Sequence, residues 1–160
     1  MRTWIIPLCL CIFCFVLPLQ VFIIGNNSGL GIQGAVYRYQ IAVQGNSLIP
    51  ITNEISYVTN GLYTGRSAFS VFFWVMGTIM LVIATIYALV NGSRITQKQV
   101  RFITIGLAMA GIGYTSSCIA QYGILLNGPA GVSIPFGVFM VFAFAVFLKY
   151  YSTGIFGLDK

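Results

Sequence analysis

The feature that most constrains this chain is a long uncharged stretch at residues 102–126, FITIGLAMAGIGYTSSCIAQYGILL. Its length is enough for a helix to cross the hydrocarbon core of a bilayer with some tilt. Small side chains recur along it at spacings of three and four residues, so they line up on faces of that helix. One stripe comprises Gly106, Ala110, Gly113, Ser117 and Ala120, and a second, on roughly the opposite face, comprises Thr104, Ala108, Gly111, Thr115 and Cys118.

These two stripes predict neighbours on both sides of the helix, because helices in hydrocarbon associate where small residues let their backbones approach. Either both stripes pack the protein's own bundle, or one of them contacts another subunit. We expect Gly113 to face the next span along the chain and Gly111 to make the outward contact. The apolar residues left to face lipid are Ile105, Met109, Ile112 and Ile119.

The composition of the whole chain favours an integral membrane protein with a single membrane domain, residues 1–160. Hydrophobic residues make up 58% of it and charged residues only 6%, whereas about a quarter of the residues in soluble domains are charged. The net charge of +6 suits a topology signal in a membrane protein better than a nucleic-acid surface. We therefore expect the lipid bilayer as a partner and no nucleic acid.

Three further apolar segments complete a predicted four-transmembrane-helix bundle. The first is interpreted as a retained span rather than a signal peptide, because its apolar region is long enough to cross the membrane, and Pro18 is expected to bend or loosen its far end. In the second span Gly77 and Ala84 offer a face for close packing. The helices are expected at about residues 4–24, 68–90, 102–126 and 132–150, with a tight turn at 127–131 between the last two.

The outer segment, residues 25–67, carries strand patterning between its glycines and asparagines. Residues 35–43 alternate with a period of two, and a second alternating run follows from Ile51 to Tyr57. The fold class is therefore an all-α membrane bundle with a small β-structured extramembrane segment between helices 1 and 2; the alternative is an irregular loop with short helical turns. Arg38 and Glu54 lie one in each run, which predicts an exposed cross-strand ion pair.

The distribution of basic residues predicts a multi-pass topology with both termini on the cytoplasmic, or equivalent inner, side. The outer segment holds Arg38 and Arg66 alone. The inner side would hold six basic residues, as the positive-inside rule requires: Arg2, Arg94, Lys98, Arg101, Lys149 and Lys160.

The residue types that are missing exclude much chemistry. The chain has no histidine, and its acids are Glu54 and Asp159, on opposite sides of the membrane in this topology. Imidazole ligation, His-based catalysis, paired carboxylates and an intramembrane proton relay therefore cannot be built from this chain alone. We expect no catalytic, metal-binding or cofactor-binding residues, and we expect that the chain is not an enzyme.

Cys11 and Cys14 form a CxxC pair, as in four-helix membrane thiol oxidoreductases of the disulfide-forming kind. Those proteins carry the pair near the outer surface, with further cysteines to exchange with. Here the pair lies inside the first predicted span and the outer segment has no cysteine, so the mechanism lacks its parts. The cysteines are expected to pack as small apolar residues.

The expected four spans, inner termini and long first outer segment with strand patterning resemble the arrangement of claudin-type tetraspan proteins. That family carries a Trp, a Gly-Leu-Trp and a Cys pair in the first outer segment. This chain departs from it, with Gly61-Leu62-Tyr63 and neither Trp nor Cys there. The resemblance is one of topology, and it implies a self-associating scaffold.

The function expected from these observations is a non-catalytic integral membrane subunit of a larger membrane protein complex. Other membrane protein subunits are then the expected partners, in a hetero-oligomer, with a homo-oligomer as the alternative. A self-associating claudin-like tetraspan scaffold is the second hypothesis. A small channel or carrier for an uncharged solute is the third, with a polar path lined by Gln20, Thr115, Ser116, Ser117 and Gln121.

Overall fold

A computed structural model describes residues 5–25, 28–43, 45–91 and 96–156. The burial and contacts of side chains are described up to residue 152. This part of the chain forms five helices and one six-stranded sheet. In chain order the elements are α1 (Ile5–Val16), β1 (Gln20–Ile24), β2 (Gly29–Gln33), β3 (Tyr37–Ala42), β4 (Gly45–Pro50), α2 (Ile51–Thr59), α3 (Gly65–Val90), α4 (Gln97–Tyr122), β5 (Asn127–Gly128), β6 (Gly131–Ile134) and α5 (Phe136–Phe156).

The sheet is antiparallel, in the order β4-β3-β2-β1-β6-β5. Its first four strands follow one another along the chain, whereas the β5–β6 hairpin arrives from between α4 and α5. Val21 of β1 lies opposite Ile134 of β6, which joins the two ends of the sequence in one sheet. A side chain at Gly131, whose φ is +125°, would collide with the backbone carbonyl of Ile23, so this pairing requires glycine there.

The prediction of a four-transmembrane-helix, all-α bundle is wrong. Within the described residues two helices, α3 and α4, are long and apolar enough to cross a membrane. The first predicted span ends at Val16 because the residue before a proline avoids the helical region and Pro18 cannot continue the helix. Its remainder forms β1, and the start of the predicted fourth span forms β6. The tight turn expected at 127–131 is the β5–β6 hairpin.

The second alternating run of the outer segment is also not a strand. Ile51–Thr59 forms α2, since Ile51, Ile55 and Val58 fit the helical spacing i, i+4, i+7, whereas Val58 would lie on the opposite face of a strand from the other two. Pro50 precedes the helix in extended conformation. Gly61, with a φ of +74°, takes the chain into the left-handed region after the helix ends.

The helices α3 and α4 pack tightly and antiparallel. A Cβ at Gly113 would lie 2.8 Å from the Cα of Gly77, and one at Gly106 would lie 3.0 Å from the Cβ of Ala84. Beyond these contacts Ser70 and Ser117 exchange hydrogen bonds between hydroxyls and backbone carbonyls. α5 packs against α4, and α1 packs beside α3.

The outward surfaces of the two long helices are apolar. Only 39% of the most apolar 18-residue stretch of each helix is buried within the protein. In a soluble domain, a helix that is apolar on all sides would be buried in the core. The residues that the sequence assigns to lipid, Ile105, Met109, Ile112 and Ile119, are all exposed. α3 adds further exposed apolar residues, among them Phe69, Phe72, Ile79, Ile83, Ile86 and Leu89.

Candidate functional site

The six-stranded sheet has two faces of opposite character, and the apolar one points away from the helices. Successive side chains of a strand point to opposite faces, and partner residues in register share a face. The face that packs on the helices, here called the inner face, carries Gln20, Phe22, Gln33 and Arg38 together with Ser133, all buried. A sheet with one solvated face normally shows the reverse arrangement.

The opposite face, here called the outer face, is built mainly from aliphatic side chains on five strands. The register places Val21, Ile32, Tyr39, Leu48 and Ile134 in one row, and Ile23, Leu30, Ile41 and Val132 in the next. Leu48 is 66% exposed, Ile134 61% and Leu30 49%. None of these nine residues is charged.

The size of the outer face is that of a binding surface. Five strands about 4.8 Å apart, each contributing about five residues with a rise of about 3.3 Å, give a face of roughly 400 Å². An apolar patch of this size is comparable to the largest one on a typical soluble monomer, which is often functional. A standard protein interface takes about 800 Å² from each partner, so this face would form the apolar centre of one.

A chain of hydrogen bonds on the inner face holds the sheet in this orientation. Gln20 Nε2 donates to Gln33 Oε1 at 2.7 Å. Ser133 Oγ and Cys118 Sγ both donate to Gln20 Oε1, at 2.6 and 3.0 Å. The chain thus connects β1, β2, β6 and α4, and because both glutamines are only 2% exposed, removing a partner would leave a buried polar group unsatisfied.

Arg38 extends the hydrogen-bond chain to α2. Its Nη2 donates to Gln33 Oε1 at 3.0 Å, and its guanidinium carbon lies 5.7 Å from the ring centroid of Phe22 and 5.5 Å from that of Trp74. Both ring distances lie within the range of a cation–π contact. The guanidinium is therefore fixed by aromatic rings as well as by an amide.

Glu54 of α2 provides the counter-charge. Its Oε1 lies 3.0 Å from Arg38 Nη1, but the geometry is not that of a hydrogen bond, and neither carboxylate oxygen has a hydrogen-bond donor among the described residues. Burial raises the pKa of Glu54 above its ordinary value of 4.5, and the nearby Arg38 lowers it in part. The predicted Arg38–Glu54 contact thus exists as a buried strand-to-helix pair, and its expected exposed, cross-strand character is wrong.

The β2–β3 connection is anchored directly on α3. Trp74 Nε1 donates to the carbonyl of Gly34 at 3.1 Å, and Thr78 Oγ1 donates to the carbonyl of Ala35 at 2.6 Å. These bonds satisfy backbone groups that a buried loop would otherwise leave unpaired. The long apolar helix α3 therefore supports the inner face of the sheet.

The first small-residue stripe of α4 lies against α3. The prediction that Gly113, on this stripe, faces the next span along the chain is therefore wrong. Ala110 and Gly113 contact Gly77, Gly106 contacts Ala84, and Ser117 bonds to Ser70. That prediction assumed that a tight turn joins α4 directly to another helix. The β5–β6 hairpin lies between α4 and α5 instead.

The second stripe lies against α5 and the sheet. Gly111 is buried, and a Cβ there would lie 2.9 Å from the ring of Phe142, so it is not the outward contact we expected. Thr104 and Thr115 each donate to the carbonyl four residues earlier, Ala108 packs at the edge of the core, and Cys118 bonds to Gln20. Both stripes are therefore occupied within the chain.

The four cysteines form no disulfide within the described residues. Cys11, Cys14 and Cys118 are buried, Cys9 is exposed, and all are free thiols. Within the described ranges, no three His, Cys, Asp or Glu side chains group as metal ligands. The sequence does not predict the hydrogen bonds through Gln20 and Gln33, because its apolar pattern places Gln20 in a helix.

Comparison with known proteins adds no family to this geometry. No protein-family model matches the chain, and no curated protein is similar to it at a significant level.

Proposed function

We propose that this chain is a non-catalytic integral membrane subunit of a larger membrane protein complex, and that a partner subunit binds on the outer face of its sheet. The observation that carries the proposal is the uncharged, mainly aliphatic surface of the outer face, where six of the nine side chains are exposed. A soluble, self-sufficient domain would bury such a surface against its own core.

The apolar outsides of α3 and α4 support insertion in a bilayer. Each has 26 residues, so each extends over roughly 39 Å at 1.5 Å per residue, longer than the hydrocarbon core of about 30 Å. α1 and α5 pack beside these two helices. In this arrangement the sheet packs at the end of α4 where Tyr122 contacts Phe22, and its β2–β3 connection extends along α3 as far as Thr78.

The described charges support an orientation with the sheet on the outer side. Lys98, Arg101 and Lys149 lie near the helix ends remote from the sheet, while Arg66 is the exposed basic residue near the sheet. Both α1 and α5 meet the sheet at one end, so their other ends point to the basic side. This supports a multi-pass topology with both termini inside; Arg2, Arg94 and Lys160 lie outside the described residues.

The partner that the outer face fits is another subunit with an apolar, uncharged surface at the same membrane surface. A charged surface would have to be desolvated against aliphatic side chains with nothing to pair with it. The face has no charge of its own to repel a second copy, so self-association through the same face is the second candidate function.

Extraction in a mild detergent and measurement of the particle's mass and composition test the proposal. A subunit elutes with other, defined membrane proteins at constant stoichiometry. A particle made of copies of this chain alone would support the scaffold instead. A monodisperse single copy from native membranes would contradict both.

A further inference from the structure

A cavity of about 290 Å³ lies between α4 and α5, on the opposite end of the helices from the sheet. It is lined by Arg101, Thr104 and Ile105 of α4, and by Lys149 and Ser152 of α5. The spacings i, i+3, i+4 and i, i+3 put these side chains on the two faces that the helices turn toward each other. The cavity is separate from the sheet and from the hydrogen-bond chain beneath it.

The buried member of the cavity lining is an unsatisfied hydroxyl. Ser152 is only 2% exposed, and its Oγ has no hydrogen-bond partner among the described residues. Buried hydroxyls are nearly always paired, so an unpaired one needs an explanation such as an absent ligand. Ser152 lines the cavity, so an acceptor bound there is the candidate partner of this hydroxyl.

The charged members favour an anion as that acceptor. Arg101 and Lys149 both line the cavity and are exposed there. Guanidinium and ammonium groups on either side of a hydroxyl donor match the oxygens of a phosphate group. Glu54, the acid that the structure describes, lies at the sheet end, on α2.

The depth of the cavity is that of a lipid headgroup. Arg101 lies near the start of α4, directly before the uncharged stretch that begins at Phe102. Because α4 is longer than the hydrocarbon core by roughly 9 Å, its first turns reach the phosphate level. Ile105, at 61% exposure, continues the cavity lining toward the lipid-facing surface, where an acyl chain would lie.

We propose that this cavity is a binding site for a phosphate group, held by Arg101, Lys149 and the Ser152 hydroxyl. The phosphate comes either from the headgroup of an anionic phospholipid or from free inorganic phosphate. The site does not depend on the partner-binding role of the sheet, because no residue is shared between them.

Native mass spectrometry of the full chain in a neutral detergent tests the site. The protein is equilibrated with phosphatidylglycerol, with phosphatidylcholine or with inorganic phosphate, and the bound molecules are counted. We expect phosphatidylglycerol to be retained in preference to phosphatidylcholine, and an Arg101→Gln/Lys149→Gln variant to bind it about tenfold more weakly, as expected when charge-assisted hydrogen bonds are lost. Lys98→Gln is the matched control, since Lys98 is an exposed cation of α4 that does not line the cavity.

Ser152→Ala gives a second readout that does not alter charge. It should weaken retention of phosphatidylglycerol while raising the thermal stability of the lipid-free protein, because an unpaired buried hydroxyl is removed. If inorganic phosphate fails to displace bound phosphatidylglycerol, the phosphate group in the site comes from the lipid headgroup. If inorganic phosphate stabilises the protein and displaces the lipid, the site binds the free ion. The proposed site would be overturned if both phospholipids were retained equally and inorganic phosphate changed neither binding nor stability. It would also be overturned if the double variant and Lys98→Gln lost the same amount of bound phosphatidylglycerol.

Discussion

Arg38 Nη1 and Glu54 Oε1 lie 3.0 Å apart beneath the sheet, with the Glu54 side chain completely buried. This contact joins β3 to α2, two elements that hydrophobic pattern alone does not bring together. A buried ion pair of this kind does not by itself stabilise a protein, because desolvation of the charges offsets their attraction. Its role is to fix where α2 sits under the sheet, and Arg38 is what allows a carboxylate to be buried there.

Loss of Arg38 is therefore expected to be more costly than loss of its partner. Arg38→Gln leaves the Glu54 carboxylate buried without a cation, and the free energy of unfolding at neutral pH should fall by about 3–5 kcal/mol. Adding Glu54→Gln to that variant should recover most of the loss, since no buried charge then remains. Chemical unfolding in detergent measures both values.

The exposed Arg66 serves as the control for the Arg38 variant. Arg66→Gln removes the same charge from the same end of the protein and should change stability by no more than about 0.5 kcal/mol. If Arg38→Gln behaves like Arg66→Gln, or if Glu54→Gln fails to rescue it, the buried pair is not formed as described.

The raised pKa of Glu54 predicts a pH dependence of stability. A carboxyl whose pKa is raised by burial binds its proton more readily in the folded chain than in the unfolded one. Its contribution to stability is therefore fully present below its ordinary value of 4.5 and is lost as pH rises through the raised folded value. We expect the free energy of unfolding to fall over that interval.

The Glu54→Gln variant isolates this titration. Its unfolding free energy should lack the fall with rising pH that the parent protein shows, whereas all other pH effects remain. A parent protein that instead becomes more stable as pH rises from 4.5 would mean that attraction to Arg38 outweighs burial at this carboxyl.

The two glycine stripes of α4 predict unequal costs for an added methyl group. At Gly113 the new Cβ would lie 2.8 Å from backbone Cα of Gly77, whereas at Gly111 it would lie 2.9 Å from the ring of Phe142. A side-chain ring can move and a packed helix backbone cannot, so Gly113→Ala should destabilise by about 1–3 kcal/mol and Gly111→Ala by less. Thermal unfolding in detergent compares them, and equal or reversed costs would contradict the packing of α4 against α3.

The proposed orientation predicts which residues a membrane-impermeant thiol reagent reaches. In a Cys9→Ser background the remaining described cysteines are buried. Leu62→Cys, near the sheet, should then be labelled in intact cells, and Lys98→Cys only after the membrane is permeabilised. Labelling of Lys98→Cys in intact cells without labelling of Leu62→Cys would reverse the topology.

How far the sequence determines this structure depends on whether a segment fits one periodicity or two. The cores of α3 and α4 are long uncharged runs that no strand could accommodate, and the sequence places them well. Segments such as β1 and β6 are short aliphatic runs that suit a buried helix equally. Their pairing, with Val21 opposite Ile134, depends on contacts between distant parts of the chain that no local pattern carries.

The same limit applies to the inner and outer faces of the sheet. The alternation of Tyr39 and Ile41 with Arg38 and Gln40 shows that β3 has two faces, but the usual rule would turn the aliphatic face inward. The reverse arrangement is stable because Arg38 and the buried glutamines satisfy one another's hydrogen bonds. This hydrogen-bond network can be recognised only once the pairing of the strands is known.

The claim that the outer face joins this chain to its partner is tested most directly by placing one charge on it. Leu30→Asp puts a carboxylate in the middle of the face, and Leu62→Asp puts the same charge on an exposed leucine of the α2–α3 connection, which is not part of the outer face. Both variants should fold, because both leucines are exposed. Their thermal unfolding in detergent verifies that they do.

The decisive measurement is the amount of partner subunit that co-purifies with each variant after mild extraction. A charge desolvated without a counter-charge at an interface costs several kcal/mol, so Leu30→Asp should elute without its partner while Leu62→Asp retains it at the parent stoichiometry. Retention of the partner by a folded Leu30→Asp protein would contradict the account.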